Sequence, residues 1–480
     1  MEPRVLIGKT VIHVEVAKDT ETIRTGLSGR DTLASDRGIL FVFPRPKWYR
    51  FWMRNMRFSI DMIWIRGDKI VGVTENIKNE FDPAHPHFYK APEKVDHVLE
   101  VNAGFAKRKN ICAGDTVVFN NIRPQFEIVR MNDTDKEQWN QFVERNQSIV
   151  GTFLGTWEWG DFQKKLGLHI ERYAVKEGVN IAAMFTLIRY KLPFGLYYGY
   201  MPRGPVIAKE YVDAEMKYFE ILQAIQEWAK KELSKFIFLR MEPPLLSLSR
   251  DFEMYGLRTP LYTIQPPHNT VVPLTITEEE ILKNFHPSTR SNIKRAERRS
   301  VICEMEKEFG EEGYRHFFSM IKSTIARGHG KNAYPSETYL RTFLSYNHIL
   351  NKNKPYDPAR VSIGVFCGYH DGIPAATHIV VFFGDTATYL FGASYTEHLN
   401  SKVDTYLHFA AMKEAKRLGM RYYDLGGIDE DVWPSLTRFK RQFGGDEIYY
   451  VGNVDVPLKP PLYHTYNILK KMLKKSRGQL

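Results

Sequence analysis

The chain has 480 residues, 43% of them hydrophobic and 26% charged, with 26 Tyr and 30 Phe. At about 100–200 residues per domain this length predicts two to four domains, and the apolar content excludes a wholly disordered chain. Lys and Arg outnumber Asp and Glu by 67 to 56, a net charge of +11, which favours an anionic partner (nucleic acid, phosphorylated substrate or acidic lipid) over a merely basic surface if the charge is clustered.

Residues 1–122 hold short apolar stretches at 5–7, 11–16, 39–43, 58–65, 70–73, 98–101 and 116–119, separated by turn residues. This pattern predicts a small, mostly β domain. The run Asn120-Asn121-Ile122-Arg123-Pro124 reads as a linker. From Phe126 the rhythm changes. Helical patterns at 136–146 and 211–233 alternate with strand patterns at 173–175, 181–188 and 236–240. Gln265-Pro266-Pro267 then opens a second alternating stretch. Its helices are predicted at 281–283, 291–299 and 405–418, and its strands at 361–367, 377–383, 388–391 and 421–424. Glu242 and Asp424 end corresponding strands of the two stretches, which predicts a structural duplication. The tail, 463–477, reads as an amphipathic helix. Leu462, Tyr466, Leu469 and Leu473 form its stripe, and Lys470, Lys471, Lys474, Lys475 and Arg477 its charge. It either packs its stripe on the body or touches an anionic membrane surface.

No apolar run reaches the roughly 18 residues of a membrane span, and the first residues turn polar too soon for a signal-peptide core. Cys112, Cys303 and Cys367 are too scattered for a disulfide framework or a metal-ligand spacing. A cytoplasmic protein is the expectation, possible contact with the inner face of the plasma membrane being confined to the basic tail.

The sharpest charge cluster is Arg290-Ser291-Asn292-Ile293-Lys294-Arg295-Ala296-Glu297-Arg298-Arg299. At helical spacing Arg290, Lys294 and Arg298 share a face, with Arg295 and Arg299 beside it. Such cations repel one another until anions approach, and guanidinium forks match phosphate geometry. The run Tyr422-Tyr423-Asp424-Leu425-Gly426-Gly427 places Cβ-free backbone at a strand terminus, where a ligand can come close. Downstream, Phe439-Lys440-Arg441-Gln442-Phe443-Gly444-Gly445 sets cations among aromatics and glycines, as in a partly desolvated cleft. Gly328-His329-Gly330-Lys331 lacks the spacing and the Ser/Thr of a phosphate-binding loop. Asp82, His85 and His87 are metal-ligand types on a Pro-rich loop without fixed geometry, and no metal is expected there.

Several of these runs resemble the FemABX peptidyltransferases. The carriers are Gly155-Thr156-Trp157-Glu158-Trp159-Gly160-Asp161-Phe162, Tyr200-Met201-Pro202-Arg203-Gly204-Pro205-Val206, Pro287-Ser288-Thr289 running into the basic helix, Tyr423-Asp424-Leu425-Gly426-Gly427-Ile428, and Phe439-Lys440. The resemblance covers about residues 126–470, in the family's motif order. It has no coiled-coil arm and so looks closer to the shorter FemX type. It implies an α+β protein in which the N-terminal mostly-β domain precedes two tandem GNAT-like α/β domains and a C-terminal basic helix. The implied boundaries are 126–270, completed by 455–480, and 271–454. Residues 1–122 resemble the bacterial domain of unknown function numbered one hundred and ninety-two, through Arg24-Thr25-Gly26-Leu27-Ser28-Gly29-Arg30, Phe51-Trp52-Met53-Arg54-Asn55-Met56 and Leu99-Glu100-Val101-Asn102-Ala103-Gly104.

The FemABX resemblance further implies transfer of an amino acid from aminoacyl-tRNA to the stem-peptide amine of a peptidoglycan precursor, lipid-linked or UDP-linked, by a monomer. Phe439 and Lys440 match the pair near the transfer site. Glu242 falls where FemX-type members carry Asp, and the helix of Arg290, Lys294, Arg295, Arg298 and Arg299 matches a phosphate-binding segment. Asp161 replaces a lysine of some members, for which Lys164 or Lys165 is expected to stand in. Asp424 and Tyr389 complete the expected substrate-binding set. Aminolysis of an activated ester needs a neutral amine, two substrates held together and a stabilised oxyanion, and no cofactor. Lys440 is expected to meet the oxyanion and Glu242 to take or steer the amine proton. The competing readings are an acetyl-CoA-dependent N-acyltransferase, which needs a Gly-rich pyrophosphate loop at a helix N-terminus, and a non-catalytic nucleic-acid-binding protein, which would not depend on Lys440.

Overall fold

In the computed structural model the described residues are 2–18, 20–122, 126–146, 149–212, 215–245, 256–328, 334–346, 348–349 and 356–476. Arg123 and Pro124 of the expected linker, His329, Gly330 and Lys331 of the rejected phosphate loop, and Arg477 of the tail lie outside them, as do the side chains of Lys474 and Lys475.

Alternating apolar residues build the first domain. One seven-stranded sheet runs in the order Lys69–Ile77, Ile60–Arg66, Val95–Asn102, Arg37–Lys47, Thr10–Ala17, Arg4–Ile7, Val117–Asn120. Only the Thr10–Ala17 and Arg37–Lys47 neighbours are parallel. Strand periodicity sends Val14, Leu40, Ile63 and Leu99 into one apolar cluster and Phe41, Met62, Trp64 and Val98 into another, so the sheet is packed on both faces.

The remainder repeats one motif twice. In the first half Phe126–Arg130, His169–Glu177, Asn180–Lys191 and Tyr197–Met201 form an antiparallel run, and Phe236–Met241 then lies parallel to Tyr197–Met201. In the second half Ile302–Met305, Ser362–His370, Ile373–Phe383 and Thr386–Ser394 are antiparallel, and Tyr422–Gly427 lies parallel to the last. In each half a helix fills the crossover that a parallel pair requires, Glu215–Glu232 and Val403–Arg417. Within the pattern expected at 211–233 and just before it, the described residues Lys209–Val212 and Glu215–Glu232 are helical. Asp424 is the third residue of its strand, which runs on to Gly427, and so does not end it.

The two halves share a core. Trp139, Trp157, Phe162 and Met184 from the first pack in one cluster with Phe317, Phe343, Ile363 and Ile379 from the second. The chain then returns to the first half. Val454–Pro457 pairs antiparallel with Phe236–Met241, and the final helix Pro460–Ser476 sets Tyr463 and Tyr466 against Ile237 and Phe238. Tyr466 therefore points inward, whereas Leu462 and Leu469 stay exposed, so the expected stripe divides between two faces.

That return is locked by a buried ion pair. Arg240 donates from Nε and Nη2 to the two Asp455 oxygens, each at 2.8 Å, and both side chains are fully buried. The Tyr463 hydroxyl donates to Asp455 at 2.9 Å, and the Tyr262 ring lies 4.4 Å from the guanidinium. Asp455→Ala leaves a buried guanidinium without its counter-ion. It is expected to cost about 3–5 kcal/mol in urea unfolding; a loss below about 1 kcal/mol would show that the pair does not hold this strand.

Candidate acyl-transfer site

The parallel ladder between Thr386–Ser394 and Tyr422–Gly427 lasts three pairs, ending at Thr388 and Asp424. Beyond it the strands part, and Tyr389 and the Leu425-Gly426-Gly427 run flank the gap. Lys440 enters there. Its helix, Pro434–Arg441, starts on a proline suited to the first turn and buries Thr437 and Lys440, three residues apart on one face. Thr437 Oγ1 donates to the Asp429 carbonyl and accepts from its N–H, both at 2.9 Å, which fixes the helix against the strand end.

The Lys440 ammonium donates to the Gly427 carbonyl at 2.8 Å. A Cβ on Gly426 would lie 3.3 Å from that nitrogen, and the φ of Gly426 is +82°, so this position favours glycine on both counts. Burial lowers the Lys440 pKa to about 8, against the opposing pull of Asp424. Asp424 is also buried, and burial raises its pKa although Asn269 Nδ2 (3.1 Å) and the Gly426 N–H (2.7 Å) donate to its Oδ1. Behind them, Tyr389 rests on His378 and His408, ring centroids 4.9 and 4.5 Å away. Its hydroxyl titrates well above the usual range because it is shut from water. His408 is held well below the ordinary imidazole value by burial, by His378 and by Lys440, so it stays neutral. Phe439 turns to His408 and Phe443, at 5.7 and 5.3 Å, and wedges the helix in place.

In the first half the parallel ladder runs to both strand ends, Met201 opposite Met241, and Glu242 ties down the chain beyond it. The Glu242 N–H donates to the Gly204 carbonyl, and Glu242 Oε2 accepts from the Tyr200 hydroxyl at 2.6 Å and the Arg203 N–H at 3.3 Å. Its Oε1 accepts from Asn453 Nδ2 at 2.8 Å and the Gln265 N–H at 3.1 Å. Glu242 thereby holds the 265–267 segment, and Pro266 of that segment presses on Gly427. Glu242 and Lys440 are thus joined through backbone and share no direct contact. Arg203, buried, donates to the Pro266 carbonyl at 3.2 Å, lies over the Tyr450 ring at 4.9 Å and is close enough to Asp424 to favour its charged form.

The basic helix, Pro287–Arg298, stands apart. Ile293 and Ala296 anchor it in the second-half core. Arg290 is committed to structure: its Nη1 donates to the Phe285 and Lys283 carbonyls at the end of the preceding helix. Arg299 donates to the Asn400 carbonyl at 2.6 Å, and Arg298 Nε reaches Lys294 O at 3.3 Å. Lys294 and Arg295 point to solvent. Lys164 is exposed on Trp157–Lys165, while Asp161 accepts from Arg172 at 2.6 Å. Among the described residues no hydrogen bond or ion pair joins Lys164 or the basic helix to Lys440. Lys440, Asp424, Tyr389 and Phe439 are the expected residues that come together. Sequence reasoning passed over Asn269, Arg203, His378 and His408. Only Arg203 carried a signal, as the cation inside the Tyr200–Val206 run.

Two α/β units of matching topology carry the site, with Lys440 buried where the parallel ladder of the second ends. In comparison with known families, residues 134–256 and 366–471 match the FemAB family, and residues 4–119 match the DUF192 family, described as "Uncharacterized ACR". The FemAB match falls in the stretch of about 126–470 whose motifs resemble that family. The Lipid II:glycine glycyltransferase of Staphylococcus epidermidis (strain ATCC 35984) is 24% identical over 417 residues, covering 72% of this chain and 97% of that protein. The enzyme of the same name from Staphylococcus aureus (strain MRSA252) is 23% identical over 423 residues, again covering 72% and 97%. The crystal structure of FemX superposes with a TM-score of 0.59 at 19% identity, over 71% of this chain and all of that one.

Proposed function

We propose that the chain is an aminoacyltransferase that moves an amino acid from aminoacyl-tRNA to the stem-peptide amine of a peptidoglycan precursor, building the interpeptide bridge. The observation that carries this reading is the Lys440 ammonium at the strand opening, in a chain whose family relatives are glycyltransferases acting on lipid II. The neutral amine attacks the ester carbonyl of the aminoacyl group. The C–N bond forms, the carbonyl oxygen gains negative charge, and the ribose oxygen leaves with the proton the amine gives up. Lys440 meets the growing oxyanion, aimed by the Gly427 carbonyl, and the charge of Asp424 favours its ammonium form. The test is mass spectrometry of purified precursors incubated with a charged tRNA pool. A mass gain of one aminoacyl residue is expected; its absence with both lipid-linked and UDP-linked precursors sinks the reading. The acetyl-CoA reading finds less support, since residues 395–402, which lead into the Val403–Arg417 helix beside the site, contain no glycine.

The solvent-facing cations of the basic helix are assigned to precursor or tRNA phosphates. Replacing Arg295 and Arg298 together by Ala should weaken precursor binding and flatten its salt dependence. Equal binding at low and high salt by wild type and variant rejects the assignment. The final helix exposes Leu462, Ile468, Leu469 and Met472 beside Lys471, which supports contact with an anionic bilayer. Among the described residues no helix is long and apolar enough to cross a membrane. Co-sedimentation with phosphatidylglycerol vesicles should fall when Leu469 and Met472 are changed to Glu; unchanged sedimentation places the membrane contact elsewhere or nowhere.

A further inference from the structure

The transfer chemistry leaves the first domain without a role, yet its surface carries an open cleft of about 500 Å3. Glu80, Phe81, Asp82, His85, His87 and Tyr89 line it, together with Met53, which is buried in the domain core. Trp52 and Phe88 stand beside it. They are 43% and 36% exposed, large rings in water next to a hollow rather than scattered singly. The two rings lie nearly parallel, 27° and 5.6 Å apart, and Trp52 meets Phe81 edge-on at 6.2 Å, so one aromatic surface runs into the cleft. A two-stranded ribbon presents it: Arg50 pairs with Lys90 and Phe51 with Tyr89. Phe51 is seated on Phe41 and Trp64 at 5.0 and 5.6 Å, which ties the ribbon to the core and holds the rings in place without a ligand.

The polar groups are balanced in charge. Asp82 accepts from the Ala84 N–H at 2.8 Å and lies 3.2 Å from His85 Nδ1, and Glu80 is 3.7 Å from the Lys78 ammonium. Arg50 lies 5.9 Å from the Phe88 ring centre. The carboxylates deter a polyanion, and their partners blunt the attraction for a cation. Among the described residues no group of three or more His, Cys, Asp or Glu could hold a metal ion. What remains suited to the cleft is a neutral molecule with apolar faces and an edge of hydroxyls. A pyranose ring has that form: its C–H face lies on an aromatic plane, and each hydroxyl both donates and accepts, matching carboxylate acceptors beside imidazole and phenol groups. The volume falls within the ordinary range of small-ligand sites.

We propose that the first domain is a carbohydrate-binding module whose cleft takes a neutral pyranose unit, stacked on Trp52 and Phe88 and hydrogen-bonded by Asp82, Glu80 and His87. The test is titration calorimetry of the full chain with chitotetraose and, separately, maltotetraose. Saturable binding of at least one is expected, weakened about tenfold or more by Trp52→Ala, as for the loss of a stacking ring, and largely kept by Trp52→Phe. Asp82→Asn should weaken the same titration, and it decides the matter if the melting curve shows that Trp52→Ala unfolds. The proposal is overturned if neither sugar gives saturable heat at concentrations up to about 5 mM, the millimolar limit of specific weak binding. It is equally overturned if binding survives both substitutions, or if a single-stranded RNA oligonucleotide binds in a Trp52-dependent, salt-sensitive way while the sugars do not.

Discussion

Lys440→Ala should slow single-turnover transfer from aminoacyl-tRNA by about a hundred- to a thousandfold while the chain stays folded, the usual cost of about 2.7–4 kcal/mol for one lost oxyanion donor. The ammonium is buried, donates to Gly427 and is opposed by no carboxylate in direct contact, so charge growing on a substrate oxygen is its natural complement. Its pKa, lowered to about 8 by burial, makes the prediction pH-dependent. The charged form does the work, so transfer should decline as pH rises through about 8 even while the acceptor amine becomes more neutral. Lys440→Arg keeps its charge at any working pH. That variant should be slower, because the planar fork is aimed differently, and should lack the decline near pH 8. Stability moves the other way. Between about 8 and the ordinary 10.5 the unfolded chain holds a proton that the folded chain has released. Stability therefore rises with pH across that window, by a total on the order of 3 kcal/mol, and Lys440→Met should lack the rise. A folded Lys440→Ala variant with near-wild-type rate, or an undiminished decline in Lys440→Arg, removes Lys440 from the mechanism.

What could be read from the chain depended on whether neighbours in sequence decide the outcome. Strand alternation gave the first domain because each apolar position chooses a sheet face locally. The Asp424–Gly427 run and Phe439-Lys440 stood out because glycine freedom and clustered aromatics are visible in one dimension. Arg290 shows the limit. A helical wheel groups it with Lys294 and Arg298, yet its guanidinium spends itself on carbonyls freed by the end of another helix, Glu278–Asn284. Val454–Pro457 is four residues long, and only its pairing with Phe236–Met241 makes it a strand. His408 sits on the inward face of Val403–Arg417 like any core residue, and its place behind Lys440 depends on a fold-back of about thirty residues. The helix Glu311–Arg327 escaped notice although it was legible: Tyr314, Phe317, Met320 and Ile321 keep helical spacing behind Gly310 and two glutamates.

Glu242→Gln should separate two roles that a sequence cannot tell apart. A proton acceptor needs a lone pair turned toward the substrate. Here both oxygens are occupied, by Tyr200, Arg203, Asn453 and Gln265, and the side chain is 2% exposed. An amide must turn its NH2 either toward the Gln265 N–H and Asn453 amide or toward the Arg203 N–H, so at least one donor faces a donor. The expected loss is about 1–3 kcal/mol of stability, the cost of a buried hydrogen bond left unmade. Glu242→Ala abandons all four donors and should cost more than the amide does. The rate should respond through position. With the 265–267 segment loosened, Pro266 no longer pins Gly427, the carbonyl that orients Lys440, and transfer should fall about tenfold, as for a group displaced slightly from its productive geometry. The pH profile decides between the roles. A positioning residue leaves the rise of rate with pH where the acceptor amine puts it, at a lower plateau. A general base takes that rise with it when it becomes an amide, and the folded protein is nearly inert at every pH. Stability unchanged in Glu242→Gln, with transfer abolished throughout, would make Glu242 the proton acceptor and its four hydrogen bonds incidental.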